Sequence, residues 1–335
     1  MSGIINRITS RLSLRQPPAR ETSRAATVAL DSGRIKACDV VNILWNDPMS
    51  AATVLKRANQ SYYGMRGSVG SLLHAVEVLG PESCLTMLSS SSEHAVESPV
   101  SDAVIRHARA TAFISHRLAT GAWLTTEDCL SRPGLVATAG LLHSIGRLAL
   151  CASFPAETES LYGFSELSFP VSGSKTELEQ LQFGIDYSEI GEFIGRKLHF
   201  PTELTLCIKG HTTPSTLQKD SAGRRLAAII GTAALVAEKC GYGMEPQVSI
   251  PYELQNEKIA LFQSEAALQD DDIRRVCGEL NEMDLNKADT ATTGPGINGS
   301  KAEDRKPERS LRSVGKSASK ENSTTDPGTS PATSI

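Results

Sequence analysis

The sequence predicts an all-α protein, and three observations predict it. Aromatic residues make up 5% of the 335 residues, while 40% are hydrophobic and Ala and Leu recur throughout; this suits helices packed through small and aliphatic side chains better than a β-sandwich core. No stretch alternates apolar and polar residues for long enough to read as a half-buried strand. Between about residues 34 and 284, caps, glycines and prolines cut the chain into segments of helical length.

Residues 1–30 read as a flexible basic leader. Ile4, Ile8 and Leu12 are spaced at four, but Arg11 and Arg15 fall into the same stripe, and Pro17 and Pro18 end the segment. A membrane-surface or docking helix is the alternative reading. Residues 31–245 read as the helical domain. It begins with helices at 38–46 and 50–59, split by Asp47-Pro48, with Ser50 placed to cap the second. Ser71 can cap the segment LLHAVEVL, Gly80 can close it in a left-handed conformation, and Pro81 suits the first turn of the next helix. A long helix is expected over 99–120. Another is expected over 134–150, apolar around nearly its whole circumference, as a central core helix should be. Ser174 with Glu177, and Asp186 with Glu189, have the spacing of reciprocal N-terminal caps. Helices at 201–210, 220–240 and 253–283 follow, the last lying in an acidic C-terminal extension assigned to 246–285. Residues 286–335 contain no aromatic residue, Met or Cys and are expected to be disordered, because too little apolar area can be buried to offset the entropy of ordering them.

The formal charge of −4 is unevenly distributed: residues 1–25 carry +4 and residues 286–335 carry +2, leaving the body at −10. An acidic body repels phosphate backbones, which argues against nucleic acid as a partner. The seven cysteines are scattered, odd in number and never form a CxxC pair, so neither a disulfide framework nor a thiolate zinc site is expected and each reads as a small apolar filler. With no apolar run expected to match a membrane span and no secretion-type apolar leader, a cytoplasmic location is the default expectation.

Three histidines stand out. His107 shares a helix face with Val100, Val104, Thr111 and Ile114, so it points inward; His143 lies in AGLLHSIGRLAL; His211 follows a helix end in IKGHTTP. For each, a hydrogen-bonded core role competes with a ligand role. In RANQSYYG, Asn59 can bond backbone groups at a helix end and Gly64 and Gly67 permit a tight turn, whereas Tyr62, Tyr63 and Met65 could form an exposed contact patch. A phosphate-binding GxxxxGK[ST] loop and a GxSxG elbow are both missing.

The segment DPMSAATVLKRANQSYYGMRGSVGSLLHAVEVLG resembles the opening of the HDOD (HD-related output domain) family, through Asp47, Pro48, Leu55, Arg57, Ala58, Asn59, Ser61, Tyr63, Gly64, Ala75, Leu79 and Gly80. AGLLHSIGRLAL is similar to that family's core helix through Gly140, Leu141, Leu142, His143, Ile145 and Gly146, and GIDYSEIGEFIGRKLHFPTELTLCIKGH to its segment leading into a histidine. The resemblance spans residues 35–240 and implies an HD-like multi-helix bundle. It also implies a signal-transduction module that binds regulatory proteins without catalysis and without a cofactor.

The related HD superfamily hydrolyses phosphate esters with a metal held by a histidine, a His-Asp doublet and a later aspartate. Carried onto this chain, His107 and His143 fall on the first two positions, Ser144 replaces the doublet's carboxylate, and the last aspartate falls near Ala234, with no acid before Glu238. Tyr187 stands where metal-binding relatives often have histidine, and Gly210 precedes His211 where such relatives have two. Neutral imidazoles do not balance a divalent cation, and a serine hydroxyl stays protonated near neutral pH. The alternative is a degenerate HD-type metal-dependent phosphohydrolase or phosphodiesterase keeping His107, His143 and His211, for instance on zinc. A third reading is a sensor that binds a small nucleotide in the old cleft without cleaving it.

Overall fold

The computed structural model describes residues 19–33, 35–60, 64, 67–90, 98–120, 133–162, 175–219, 221–243, 252–266 and 268–282, with two isolated positions at 3 and 6. Every regular element among them is helical. The C-terminal segment expected to be disordered lies outside the described residues, as do Ser61, Tyr62, Tyr63 and Met65.

The leader expected over residues 1–30 ends earlier than its composition suggests, because Arg20–Asp31 forms a helix, α1. Its buried stripe, Thr22, Ser23 and Ala26, is small rather than apolar, so hydrophobic periodicity does not reveal it. Next come α2 (Ala37–Leu44), α3 (Pro48–Ala58), α4 (Leu72–Leu79) and α5 (Pro81–Ser89), and α1 packs on α5 with the Ser23 hydroxyl donating to Leu88 O at 3.0 Å. The cap of α3 is Asp47, not Ser50: its carboxylate accepts from Met49 N at 3.1 Å and Ser50 N at 3.0 Å, with Pro48 at the first helical position. Ser50 lies inside the first turn and donates its hydroxyl to Asp47 Oδ2 at 2.7 Å, while Ala19 N donates to the same oxygen at 2.9 Å. One buried carboxylate thereby starts α3 and ties down the entry to α1.

Asn59 acts within the fold. It is fully buried, donates to Leu55 O at 3.0 Å and Val69 O at 2.8 Å, and accepts from Val69 N at 3.0 Å, closing the loop that holds Gly64 at φ 65°. Gly80, expected to close α4 in a left-handed conformation, has a positive φ of 85° but a ψ of 134°, the extended ψ that a following proline favours.

The centre is built on α6 (Pro99–Ala119), which packs along α7 (Pro133–Leu142) and α13 (Ala222–Ala237). The single helix expected over 134–150 is two, α7 and α8 (Ile145–Ser153), broken at His143 and Ser144. The His143 ring donates to Gly140 O at 2.7 Å, offering that carbonyl a side-chain partner where the next helical turn would use Ser144 N. Contrary to the expectation from the sequence, the 133–153 stretch is long and apolar enough to cross a membrane by length and composition; 94% of its most apolar window is buried in the molecule, as befits a core element.

Around this centre lie α9 (Pro155–Tyr162), α10 (Lys175–Phe183), α11 (Tyr187–Lys197) and α12 (Thr202–Gly210). The reciprocal cap expected from Asp186 and Glu189 is present at α11, whereas Ser174 lies outside the described residues. After α13 a π-turn, Glu238–Tyr242, contains Gly241 at φ 85°. The helix expected over 253–283 is α14 (Tyr252–Ala266) and α15 (Asp270–Glu282), with Leu268 N closing back on Gln263 O at 2.9 Å. The stretch read as an extension packs on the bundle: α14 on α13, and α15 on α6, where Arg117 pairs with Glu279.

Asp47→Ala should lower unfolding free energy by about 1–3 kcal/mol, from a lost cap and the unpaired Ala19 N–H. Urea denaturation checks the magnitude. Tryptic cleavage at Arg20 and Arg24 should accelerate in the same variant, and an unchanged cleavage rate would show that Asp47 does not hold α1.

Candidate functional site

Close backbone approach brings three helix ends to one place. A Cβ at Gly140 would lie 2.8 Å from Ala112 Cα, and one at Gly146 would lie 1.9 Å from Tyr187 O, so only glycine lets α7 meet α6 and α8 meet α11. His107 on α6, His143 at the break and His211 at the C-cap of α12 then form a row, with ring centroids 5.1 Å and 5.0 Å apart and edge-to-face at 68° and 84°. All three are essentially sealed from solvent. Tyr187 extends the row, 5.4 Å from His211.

Backbone carbonyls set the tautomers. Nδ1 of His107 faces Tyr242 O at 3.0 Å, Nδ1 of His143 faces Gly140 O at 2.7 Å, and Nδ1 of His211 faces Ile208 O at 2.8 Å. A carbonyl only accepts, so each Nδ1 carries the proton and each Nε2 presents a lone pair. Two of those lone pairs are taken: the Ser144 hydroxyl donates to His143 Nε2 at 2.7 Å, and the Tyr187 hydroxyl donates to His211 Nε2 at 2.6 Å. Among the described residues no hydroxyl caps Nε2 of His107.

Burial holds all three rings neutral. It depresses His107 to about 4, with partial opposition from Glu238, and His211 to about 3. His143 is driven well below its usual range by burial and then by the two rings flanking it.

Beneath the row lies a buried ion pair that the sequence reading missed. Arg147 Nε donates to Glu179 Oε1 at 2.8 Å, with the two side chains 5% and 0% exposed. Glu179 also accepts from the Tyr162 hydroxyl at 2.5 Å and from Tyr187 N at 2.9 Å, and the guanidinium lies 3.6 Å from the Tyr187 ring centroid. Beside the row a cavity of about 200 Å³ is lined by His107, His211, Lys175, Glu238, Lys258 and Phe262, among others. Lys175 pairs with Glu238 at 3.3 Å; burial opposes the charge on Glu238, but Lys175, His107 and Arg147 together outweigh it and hold the carboxyl below its ordinary range.

This layout sits in a recognisable frame, for the HDOD domain family model matches residues 17–214, more than half of the sequence. The chain belongs to the HDOD family. Its HDOD fold is shared with the MmoQ response regulator from Methylococcus capsulatus (21% identity, 78% of this chain and 97% of that chain covered, TM-score 0.59). It is shared as well with a virulence factor from Campylobacter jejuni (14% identity, 83% and 98% covered, TM-score 0.62). At these identities the likeness is one of fold. No curated protein matches the chain.

Within this HDOD domain the residues do not fit a divalent ion. His143 and His211 have their lone pairs engaged by hydroxyl donors, Ser144 points at an imidazole rather than presenting an oxygen to a shared centre, and Asp186 is occupied in capping α11. Ala234 lines the cavity where the superfamily aspartate was expected, and Glu238, one turn on, does reach it, but in a salt bridge to Lys175. Among the described residues no group of three or more His, Cys, Asp or Glu is arranged to hold a metal. Of the candidates named from sequence, His107, His143, Ser144, Tyr187 and His211 come together; Asn59 and Gly64 do not line the cavity, and Tyr63 lies outside the described residues. An arginine inside an otherwise apolar core segment was the available signal for Arg147; nothing local marks Glu179 as its partner.

Breaking the buried pair from one side should be costly. Arg147→Met is expected to destabilise by about 3–5 kcal/mol because Glu179 is left charged and unpaired, and Arg147→Met with Glu179→Leu should recover much of that. Denaturant titration of the single and double variants decides it; equal losses would mean that the pair acts only through packing.

The histidine row also sets an acid limit. Its folded pKa values lie below the ~6.5 of an unfolded chain, so on acidification the unfolded chain takes up these protons first. The stability is therefore complete above about pH 6.5 and is lost as pH falls toward about 4 for His107. Urea midpoints measured from pH 7 to pH 4.5 should fall more steeply for the native protein than for His107→Gln.

Proposed function

We propose that this HDOD protein is a non-catalytic signalling domain that works by binding a regulatory protein. The observation that carries the reading is the capping of His143 and His211 by the Ser144 and Tyr187 hydroxyls, at positions where hydrolytic relatives would place metal-binding groups. Hydroxyl donors facing imidazole lone pairs make a stable polar core and a poor cation site, which supports a scaffold role over water activation. A fold shared with a protein described as a response regulator is in keeping with signalling. The buried thiols of Cys84 and Cys151, not joined in disulfides, suit a reducing, cytoplasmic setting.

One observation favours a second reading, a small-nucleotide sensor. The cavity beside His107 combines the cationic Arg147, Lys175 and Lys258 with the Phe262 ring. A nucleotide at one hundred times its Kd would stabilise the fold by about 2.7 kcal/mol, which thermal-shift screening against mono- and cyclic nucleotides detects.

The scaffold reading is tested by elemental analysis of the purified chain together with turnover of p-nitrophenyl phosphate and cyclic dinucleotides in added Mn²⁺ or Zn²⁺. Substoichiometric metal and no turnover are expected. Stoichiometric metal with hydrolysis abolished by His107→Ala would replace it with the phosphohydrolase reading.

A further inference from the structure

The cavity beside the histidine row leaves one charge and one hydrogen-bond acceptor unanswered. Three cations line it, and two are paired: Arg147 with Glu179 at 2.8 Å and Lys175 with Glu238 at 3.3 Å. The Asp186 carboxylate, also in the wall, is spent at the start of α11, where it accepts from Ser188 N at 2.8 Å, the Ser188 hydroxyl at 2.6 Å and Glu189 N at 3.1 Å. Lys258 of α14 lines the same cavity, partly buried, and among the described residues its ammonium meets no carboxylate; its neighbour is the Phe262 ring, with the centroid 5.9 Å away. The acceptor belongs to His107, which is 2% exposed and lines the cavity. Its Nδ1 is committed to Tyr242 O, so Nε2 is what the ring can offer a ligand, and burial, which depresses the ring to about 4, keeps that lone pair unprotonated near neutral pH.

We infer that this cavity binds a small hydroxy acid, its carboxylate paired with Lys258 and its hydroxyl donating to His107 Nε2. An unpaired ammonium in a partly buried wall favours an anion, and a sealed imidazole nitrogen without a donor recovers free energy from a ligand O–H. A hydroxyl suits that place better than an ammonium donor, because a further cation brought in beside Lys175 and Arg147 would be costly to desolvate. Size points the same way: about 200 Å³ lies below the roughly 300–1,000 Å³ of pockets that enclose drug-sized ligands. The wall at Gly231 is already closed, since a Cβ there would lie 2.3 Å from His211 O and 2.6 Å from Phe262 Cε2. Between the two polar ends, Phe262 offers the ligand's carbon chain an apolar face.

This assignment rests on the sensor reading, in which the cavity holds a ligand, and names one smaller than the nucleotide considered there. The two recognition groups come from different parts of the chain: His107 lies within residues 17–214, matched by the family model, and Lys258 lies beyond them on α14. A bound acid would therefore join α14 to α6 across the cavity.

The test is isothermal titration of the full chain with glycolate, 3-hydroxypropionate and 4-hydroxybutyrate, each against the acid that lacks its hydroxyl: acetate, propionate or butyrate. The series varies the distance between carboxylate and donor. One hydroxy acid is expected to bind with simple stoichiometry and roughly tenfold more tightly than its counterpart, the worth of one net hydrogen bond at a buried acceptor. Lys258→Met, at a partly buried position, should fold as the native chain does and weaken binding of both members of the pair by roughly tenfold. His107→Phe should lose the preference for the hydroxyl. Inorganic phosphate, AMP and cyclic dinucleotides are titrated in parallel. Binding of nucleotides or phosphate without any hydroxy acid would overturn the inference and leave the cavity a ligand site; binding of none of these probes would overturn the inference and the sensor reading together. Equal affinity for acids with and without the hydroxyl, or native affinity in Lys258→Met, would also overturn it.

Discussion

A carboxylate placed where no water reaches it must find its whole complement of donors from the chain, and Glu179 does so by drawing four elements together. Arg147 of α8, Tyr162 of α9 and the Tyr187 N–H at the start of α11 all converge on a side chain of α10. Desolvating such a pair costs several kcal/mol per ion, repaid only when geometry is good and the remaining lone pairs are bonded. Here they are bonded, and the arrangement fixes more than itself: it sets where Tyr187 begins its helix and lays the tyrosine ring beneath the guanidinium. The hydroxyl of that tyrosine is what meets His211. The histidine row thus inherits its order from a salt bridge that none of its rings touches in sequence.

That inheritance explains why hydroxyls can stand at positions associated with metal ligands without leaving the core frustrated. Three imidazoles stripped of water would each leave a nitrogen lone pair unsatisfied unless a donor were supplied. Ser144 and Tyr187 supply two, and neither can carry the negative charge that a carboxylate would bring. A cation placed among them would have to displace two short hydrogen bonds, with the nearest cavity acid already neutralised by Lys175. The row is better understood as a proton-fixed network, each Nδ1–H directed to a carbonyl, than as a ligand set awaiting its ion.

What the sequence could disclose follows the range of the interactions involved. Asp186 with Glu189, and Gly80 before Pro81, are legible because cap and turn chemistry acts within three or four residues. Asp47 was legible as a boundary but misread as to role: Ser50 also has a capping hydroxyl, and only the structure shows which oxygen the free N–H groups meet. The break at His143 and Ser144 was hidden because apolar composition runs through it unbroken, while its cause is a side chain bonding a carbonyl three residues back. The histidines stood out by their places on an inward helix face, in a core segment and at a helix end, since 107, 143 and 211 have no spacing of their own, and the family resemblance then set them against a metal site. Glu179 and Glu238 were missed for the complementary reason, as an acid on a polar helix face looks solvated until the fold closes over it.

The π-turn after α13 shows how a short irregular segment can join otherwise separate properties. A straight continuation of α13 would carry residues 238–242 along a single line, whereas Gly241 in a left-handed conformation folds them back. Glu238 consequently faces Lys175, and the Tyr242 carbonyl reaches His107. The protonation of His107 responds to this segment as well, because Glu238 and the Tyr242 carbonyl both oppose the depression that burial imposes, and the carbonyl also fixes the tautomer. Any change that alters the position of these five residues must therefore be felt at the one imidazole whose Nε2 lacks a hydroxyl cap among the described residues, and the cavity lies beside that ring.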